Sequence, residues 1–275
     1  LMVEGGREVA FDCKPSGANS NSGGRSNAFA LHYVALVFAF LVIQVVSREL
    51  ARAQVPQQPG QQSFELPQQA ADQRGFLEFD DGGRLWYADT GGEGEVVVFM
   101  HAASMSGRAW LFQQPVFVES GYRVITYSRR GYRPSSSKGV QQTPAADDLD
   151  QLLDHLGVCK AHLVAAAHGG SFAVDFVLSY PQRVRSLTIQ SSLIGIEERQ
   201  YQDMLARLLP PFFSRLPTEF KELGPAYRAG NPAGARAWLE LSQSSRNNDS
   251  FSFQPRRNKV DFQVLGTIRK PILIV

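Results

Sequence analysis

The chain is short of cysteine and of net charge, and each shortage excludes a class of protein. Two cysteines in 275 residues, Cys13 and Cys159, exclude a disulfide-rich scaffold and a zinc site built from cysteine. The 28 basic and 26 acidic side chains leave a formal net charge of +2, so composition gives no electrostatic reason to expect nucleic-acid binding. No phosphate loop, dinucleotide fingerprint or metal-ligand spacing occurs in the sequence, so neither a cofactor nor a metal is expected.

Apolar residues make up 43% of the chain, but they are spread unevenly, and the first 75 residues are interpreted as lying outside the fold. Residues 1–27 are polar and low in complexity, which predicts a disordered leader. Residues 28–53 hold an apolar run at 28–46, which as a helix is about 28 Å long and close to the hydrocarbon thickness of a bilayer. Residues 54–75 are rich in Gln and Pro, which predicts an extended linker.

The apolar run at 28–46 has two interpretations. A transmembrane anchor fits its length, whereas a secretory signal fits the small-x-small site Ala51-Arg52-Ala53 that follows it. The run is longer than a usual signal core, and the charges before it are balanced, so the alternatives stay open. Both predict a protein outside the cytoplasm, either membrane-anchored through residues 28–46 or secreted, for example into a periplasm.

After residue 76, short apolar runs alternate with helical patterns, which predicts one α/β domain over residues 76–275. The domain starts with a predicted hairpin around the Asp-Asp-Gly-Gly turn at 80–83. Five apolar runs suit strands that are buried on both faces of a parallel sheet: 96–100, 122–127, 160–166, 184–189 and 271–275. Residues 195–260 interrupt this alternation with further helical segments. They are interpreted as a cap over the strand ends, with surface elaboration as the alternative.

The order of these segments resembles the α/β-hydrolase superfamily over residues 76–275. The stretches that carry the resemblance are VVVFMHAASMSGRAW, YRVITYSRRGYRPSS, AADDLDQLLDHLG and KAHLVAAAHGGSFAVDFVLSYPQRVRSL. The resemblance implies the α/β-hydrolase fold, in which helices flank a mostly parallel sheet and a helical cap is inserted. It also implies a nucleophile elbow, Gly-x-Ser-x-Gly, at the turn between a strand and a helix.

The elbow of this chain departs from that pattern. The corresponding stretch is Ala165-Ala166-Ala167-His168-Gly169, so Ala167 stands at the nucleophile's position, where its methyl group cannot attack a carbonyl carbon. The catalytic residues are therefore unassigned, and His168 is the candidate base for activating water. The resemblance implies an oxyanion hole made by the backbone N–H groups of Ala103 and His168. It places three further side chains along the pocket: His101, Ser104 and Ser106.

Other parts of the pattern concern neighbouring side chains and the end of the chain. Ser171 is expected to satisfy the N-terminus of the following helix. Arg129 and Arg130 follow a predicted strand and are expected to form surface ion pairs, with anion binding as the alternative. The family's acid and histidine would both follow the strand at 271–275, so the chain is expected to be a C-terminally truncated copy that lacks the last strand and helix.

Three functions remain open at this stage. The first is a hydrolase that acts on a small apolar carbonyl compound, an ester or lactone, by a route without a serine nucleophile. The second is a pseudoenzyme that binds a small ligand or a partner in the same pocket, and the third is an inactive gene fragment. The expected partner is a small-molecule substrate or ligand, and the sequence leaves the oligomeric state open.

Overall fold

The computed structural model describes residues 64–246 and 253–275, so the predicted leader and apolar segment (1–53) lie outside the described residues. Within these two ranges no helix is long and apolar enough to cross a bilayer. The described strands are β1 (Gln73–Glu78), β2 (Arg84–Asp89), β3 (Val96–Met100), β4 (Arg123–Tyr127), β5 (Ala161–Ala166), β6 (Val184–Gln190) and β7 (Ile272–Ile274).

Eight α-helices accompany these strands in the described part of the chain. Three lie between strands of the sheet: α1 (Gln113–Glu119), α2 (Ala145–His155) and α3 (Gly169–Ser179). Four follow β6: α4 (Arg199–Leu208), α5 (Thr218–Glu222), α6 (Pro225–Gly230) and α7 (Pro232–Ser245). A short α8 (Phe262–Leu265) precedes β7.

The strands form one sheet in the order β1-β2-β4-β3-β5-β6-β7. The hairpin strands β1 and β2 pair antiparallel, β2 also pairs antiparallel with β4, and every other neighbouring pair is parallel. All five apolar runs predicted as buried strands are present, and each of their bounds lies within one residue of the prediction. The mostly parallel sheet with flanking helices confirms the predicted fold class.

The core lies on both faces of the central strands. In β3, Val98 belongs to the apolar cluster that contains Leu149 of α2, whereas Val97 and Phe99 belong to the opposite cluster with Phe117 of α1. This alternation follows from the two-residue period of a strand, and burial of both sets explains why the run reads as continuously apolar. Because β3, β4 and β5 are parallel, their carboxyl ends meet at one edge of the sheet, where open α/β sheets bind ligands.

The start of the folded part differs from the predicted boundary. Strand β1 begins at Gln73, and residues just before it are docked on the domain although the linker was predicted to run to residue 75. The side chain of Gln69 donates to the carbonyl oxygen of Leu111 at 2.8 Å. The buried amide of Gln114 accepts from the N–H of Ala70 at 3.1 Å and donates to its carbonyl at 3.2 Å. These bonds satisfy backbone groups that an extended linker leaves to water.

Helices α4 to α7 occupy the predicted insertion, 195–260, and contact the loop that follows β3. The hydroxyl of Ser104 donates to the carboxylate of Glu222, and Ser245 donates to the hydroxyl oxygen of Ser106 at 3.2 Å. The guanidinium of Arg246 donates twice to the carbonyl oxygen of Ala103, at 2.9 and 3.1 Å. The insertion therefore packs against a loop at the carboxyl edge of the sheet, as a cap does.

Candidate active site

The turn between β5 and α3 has the backbone form of a nucleophile elbow. Strand β5 ends at Ala166, Ala167 has φ of +48°, and α3 begins at Gly169. The N–H of Ala167 donates to the carbonyl oxygen of Gln190 on β6 at 2.9 Å, which holds the turn to the sheet. A left-handed φ is strained for any residue with a Cβ, and a sharp strained turn from strand to helix is the shape that presents a nucleophile in this fold. The turn has the form of an elbow, and its left-handed residue is Ala167.

Gly169 brings the start of α3 against the end of β3. A Cβ built on Gly169 would lie 2.5 Å from the carbonyl oxygen of Met100 and 2.7 Å from that of His101. Real Cβ atoms do not approach backbone oxygens this closely, so only glycine permits the contact. The elbow therefore lies directly beside the chain that leads into the predicted oxyanion loop.

Both predicted oxyanion donors have free backbone N–H groups. Among the described residues, the N–H groups of Ala103 and His168 make no hydrogen bond, whereas the carbonyl oxygen of Ala103 is held by Arg246. An unpaired N–H group at a helix N-terminus, as that of His168, attracts negative charge. These two groups are available to a ligand.

The three side chains expected along the pocket are fully buried instead. His101 is 0% exposed; the N–H of Arg129 donates to its Nε2 at 3.1 Å, so its Nδ1 carries the proton and donates to the carbonyl of Ala102 at 2.8 Å. Burial, and then the charge of Arg129, lower the pKa of His101 well below 6.5, so the ring is neutral. Ser104 and Ser106 are also buried, and both contact the cap. In this structure all three join loops to one another.

His168 is half-buried at the start of α3, between two aromatic rings. Its ring centroid lies 5.1 Å from that of Phe172 and 4.5 Å from that of Phe253. Burial, followed by the charges of Arg129 and Arg256, lowers the pKa of His168 to about 4. The imidazole is therefore neutral at pH 7 and can accept a proton, but it is a weak base. Within the described residues no carboxylate is hydrogen-bonded to the ring.

Ser171, one turn into α3, does not replace the missing nucleophile. Its hydroxyl donates to the carbonyl oxygen of His168 at 2.7 Å, and the side chain is buried. The sequence predicted that Ser171 would satisfy the N-terminus of the helix, but the bond runs from the hydroxyl to a carbonyl. The proton that an attacking serine must give up is therefore already engaged by the backbone.

The predicted surface ion pairs of Arg129 and Arg130 are wrong, because both side chains are buried. The two residues are 1% and 2% exposed, respectively. Arg130 donates to the buried carboxylate of Asp148 at 2.8 and 3.0 Å and also pairs with Asp81. Gln254 donates to Oδ2 of Asp148 at 2.7 Å, and this bond joins the segment that follows the cap to the network.

Arg129 has no such partner. Its Nη1 donates to the carbonyl oxygen of His101 at 2.8 Å, and its Cζ lies 4.7 Å from the ring centroid of Phe172 and 5.1 Å from that of Tyr132. Its Nη2 is buried without a hydrogen bond, and no described carboxylate forms an ion pair with it. Sequence reasoning offered anion binding by Arg129 and Arg130 only as the alternative to surface ion pairs, and the doubled arginine after a strand did not show that the two side chains are buried.

A separate cavity of about 140 Å³ lies away from the elbow, and it contains none of the predicted site residues. Its walls come from β2, β4 and the docked residues before β1, and include Trp86, Trp110 and Gln69. No group of three or more His, Cys, Asp or Glu side chains in the described ranges is arranged to hold a metal ion.

Comparison with known proteins identifies the family. The family described as alpha/beta hydrolase fold matches residues 95–254, more than half of the chain and all of the elbow region. The chain belongs to this family. Among the relatives of the α/β-hydrolase chain, the uncharacterized hydrolase YcgS of Bacillus subtilis is 38% identical over 114 residues, which cover 41% of this chain and 39% of that protein.

A second relative carries a named activity. The 2-hydroxy-6-oxononadienedioate/2-hydroxy-6-oxononatrienedioate hydrolase of Burkholderia vietnamiensis is 37% identical over 118 residues, 41% of each chain. The α/β-hydrolase chain thus spans about two fifths of the length of these curated relatives. A solved bromoperoxidase from Bacillus anthracis aligns over 74% of this chain and 80% of its own, with a TM-score of 0.58 and 22% identity, which supports the fold alone.

Proposed function

We propose that this α/β-hydrolase chain acts on a small carbonyl compound, an ester or lactone, by direct addition of water at the elbow. The observation that carries the proposal is the pair of free N–H groups, on Ala103 and His168, beside an elbow whose apex has no nucleophile. Donors fixed where an oxyanion develops are the largest single contribution in many acyl-transfer sites, and they do not depend on a serine.

The proposed step uses water in place of a covalent intermediate. The imidazole of His168 takes a proton from water, the water oxygen bonds to the carbonyl carbon, and the N–H groups of Ala103 and His168 hold the resulting oxyanion. The tetrahedral adduct then collapses, the bond to the leaving alkoxide breaks, and the imidazolium returns its proton to the alkoxide. The products are a carboxylic acid and an alcohol. Since the pKa of His168 is about 4, the base is in its active form above about pH 5, but it is inefficient.

The names of the relatives support the substrate class. The curated relative from Burkholderia vietnamiensis is named as a hydrolase of an oxo-dienedioate, which contains a ketone carbonyl group. Addition of water to a carbonyl carbon is the chemistry that an oxyanion site assists. This supports a carbonyl compound as the substrate here and does not extend to that particular compound.

A second candidate function is ligand binding without turnover. It is favoured by the low pKa of His168 and by the lack of a described carboxylate that would orient the ring. An unoriented base with a pKa several units below the working pH contributes little to proton transfer. The same pocket would then hold a ligand that is released unchanged.

Steady-state hydrolysis of p-nitrophenyl butyrate by the full 275-residue chain tests the proposal. We expect slow turnover without a burst, a rate that falls below about pH 5, and a loss of activity in His168→Gln. Ala167→Ser is expected to add a burst, because a hydroxyl at the apex can be acylated, whereas the neighbouring Ala166→Ser is the matched control and is expected to add none. Folded protein that shows no turnover above buffer would contradict the hydrolase proposal and favour the second candidate.

We also propose that the chain acts outside the cytoplasm, either anchored through residues 28–46 or released after Ala53. The support is the apolar run and the small-x-small site that follows it. Fractionation of cells that express the full chain tests this, and recovery in the cytoplasmic fraction alone would contradict it.

A further inference from the structure

Arg129 is a buried cation whose charge nothing in the described protein balances. An arginine cannot lose its proton to escape burial, and an unpaired charge inside a protein costs several kcal/mol even after relaxation. Its side chain contacts the carbonyl oxygen of His101 and the faces of Phe172 and Tyr132, and it also interacts with the hydroxyl of Tyr132. These groups are dipoles and quadrupoles, so the full positive charge remains.

The unused donor lies beside the elbow. Nη1 of Arg129 is fixed to the carbonyl oxygen of His101, which leads into the oxyanion loop, and the guanidinium stacks on Phe172 in the first turn of α3. Its charge also reaches the ring of His168. The remaining Nη2 is buried and has no hydrogen-bond partner in residues 64–246 and 253–275. Arg129 therefore adds a fixed positive charge to a site that already has free N–H groups and a helix N-terminus.

Other charged groups near this site are already engaged. Arg256 pairs with Glu197, and Arg246 donates to the carbonyl of Ala103. Glu222, whose charge acts on Tyr132, accepts from Ser104. Of these three cations, Arg129 is the one with a fully buried nitrogen, Nη2, that has no hydrogen-bond partner among the described residues.

We propose that Arg129 binds the carboxylate of the ligand that occupies the elbow, so that this site takes small monoanionic carboxylates with an apolar body. The aromatic rings of Phe172 and Phe253 suit the apolar body. The single positive charge of Arg129, with the two N–H groups of its unpartnered Nη2, suits one carboxylate better than a multiply charged phosphate. The inference rests on the proposed function in that it concerns the same pocket, but it is a statement about binding and requires no turnover.

Thermal unfolding of the full chain with hexanoate, with its neutral isostere hexanamide and with inorganic phosphate tests the proposal at constant ionic strength. We expect hexanoate at ten times its Kd to raise the Tm by about 3–5 °C. Hexanamide at the same concentration is expected to have no effect, and phosphate a smaller one than hexanoate. Equal shifts with hexanoate and hexanamide, or a larger shift with phosphate, would overturn the proposal.

Two arginine variants separate this site from general charge effects. Arg129→Met is expected to weaken hexanoate binding about 10–100-fold, the loss expected for a charge-assisted hydrogen bond. Arg256→Met is the matched control: it also removes a cation near His168, but one that has a carboxylate partner, so hexanoate should bind as it does to the wild type. Equal losses in the two variants, or unchanged binding in Arg129→Met, contradict a specific site.

Two further measurements guard against a variant that fails to fold. Arg129→Lys keeps the positive charge but lacks the planar guanidinium group with its several N–H donors. This variant should bind hexanoate more weakly than the wild type does, but more tightly than it binds hexanamide.

In the wild type, hexanoate should raise the pKa of His168 from about 4, which an NMR titration of its ring protons reports. An unchanged His168 titration places the anion elsewhere. None of these assays measures hydrolysis. An inactive protein that binds hexanoate would contradict the proposed hydrolase function but not the carboxylate site. An active protein that does not bind hexanoate would contradict the carboxylate site but not the hydrolase function.

Discussion

Arg129 and Arg130 are adjacent in the chain and equally buried, yet their surroundings are opposite. Arg130 is enclosed by the carboxylates of Asp148 and Asp81, and Gln254 completes the network. Arg129 has one carbonyl oxygen and two aromatic rings, and its Nη2 bonds to nothing in the described chain. The charges around Arg130 are therefore matched, as in a structural network. The charge of Arg129 is in surplus, as in a binding site without its ligand.

The difference shows how burial should be interpreted. A buried charge alone does not indicate function, because Arg130 is buried and serves to join the loop after β4, helix α2 and the chain returning from the cap. An unmatched buried charge does indicate function, because the folded protein bears a cost that only a further group can offset. Arg129 meets this stricter condition, and it lies at the elbow.

Among the variants that test this comparison, Arg130→Met is expected to change the free energy of unfolding most. The substitution leaves the carboxylate of Asp148 buried and unpaired, so we expect the free energy of unfolding to fall by about 3–5 kcal/mol. Urea unfolding followed by circular dichroism measures it. Arg185→Met removes an exposed ion pair with Glu95 and is the control, for which a loss of less than about 1 kcal/mol is expected. Similar losses in both variants would show that the network around Arg130 has no special weight.

A medium effect is expected at the elbow from Gly169→Ala. The new methyl group would lie 2.5 Å from the carbonyl oxygen of Met100, so the start of α3 must shift, at a cost of about 1–3 kcal/mol. Gly230→Ala, at the end of α6, has nothing within 4 Å of the added Cβ and is the matched control. Chemical denaturation compares the two. If both variants are as stable as the wild type, the close contact between elbow and β3 does not exist.

The smallest expected effect is on how stability depends on pH, through His168, whose pKa is lowered by burial and, to a lesser degree, by the charge of Arg129. The pKa of His168 is lowered from 6.5 to about 4 in the folded state, so between these values the unfolded chain binds more protons. The stability that His168 contributes is therefore fully present above pH 6.5 and is lost as the pH falls through 4. Urea midpoints at pH 7.5, 6 and 5 should decline less steeply in His168→Gln than in the wild type. Parallel declines would mean that His168 is not held neutral by its surroundings.

Most of the fold could be predicted from the sequence because buried parallel strands leave a simple trace. The apolar runs of the central strands are continuous because both faces of these strands are covered, as Val97 and Val98 of β3 illustrate. The edge strand β7 differs, because Ile272 and Ile274 are exposed although the run was predicted as buried. The docking of residues before β1 could not be predicted, because it depends on two amides, Gln69 and Gln114, whose partners are about forty residues away in the sequence.

The local order of strand, turn and helix around Ala167 could be predicted from the sequence, and the left-handed φ of Ala167 is a finding of the structure. The electrostatics of this region could not be predicted. The burial of Arg129 and the low pKa of His168 depend on Phe172, Phe253 and Tyr132, which come from different parts of the chain. Two arginines after a strand look alike locally, and only packing distinguishes them.

The left-handed backbone of Ala167 has a consequence for how such a protein can change over generations. Every alanine codon becomes a serine codon by a single nucleotide substitution, and the conformation that a serine would need at this apex is already adopted by the alanine. A lineage that carries this domain can therefore gain or lose a hydroxyl at the apex without first rebuilding the chain around it. The strained turn keeps both states of the site within one mutation of each other.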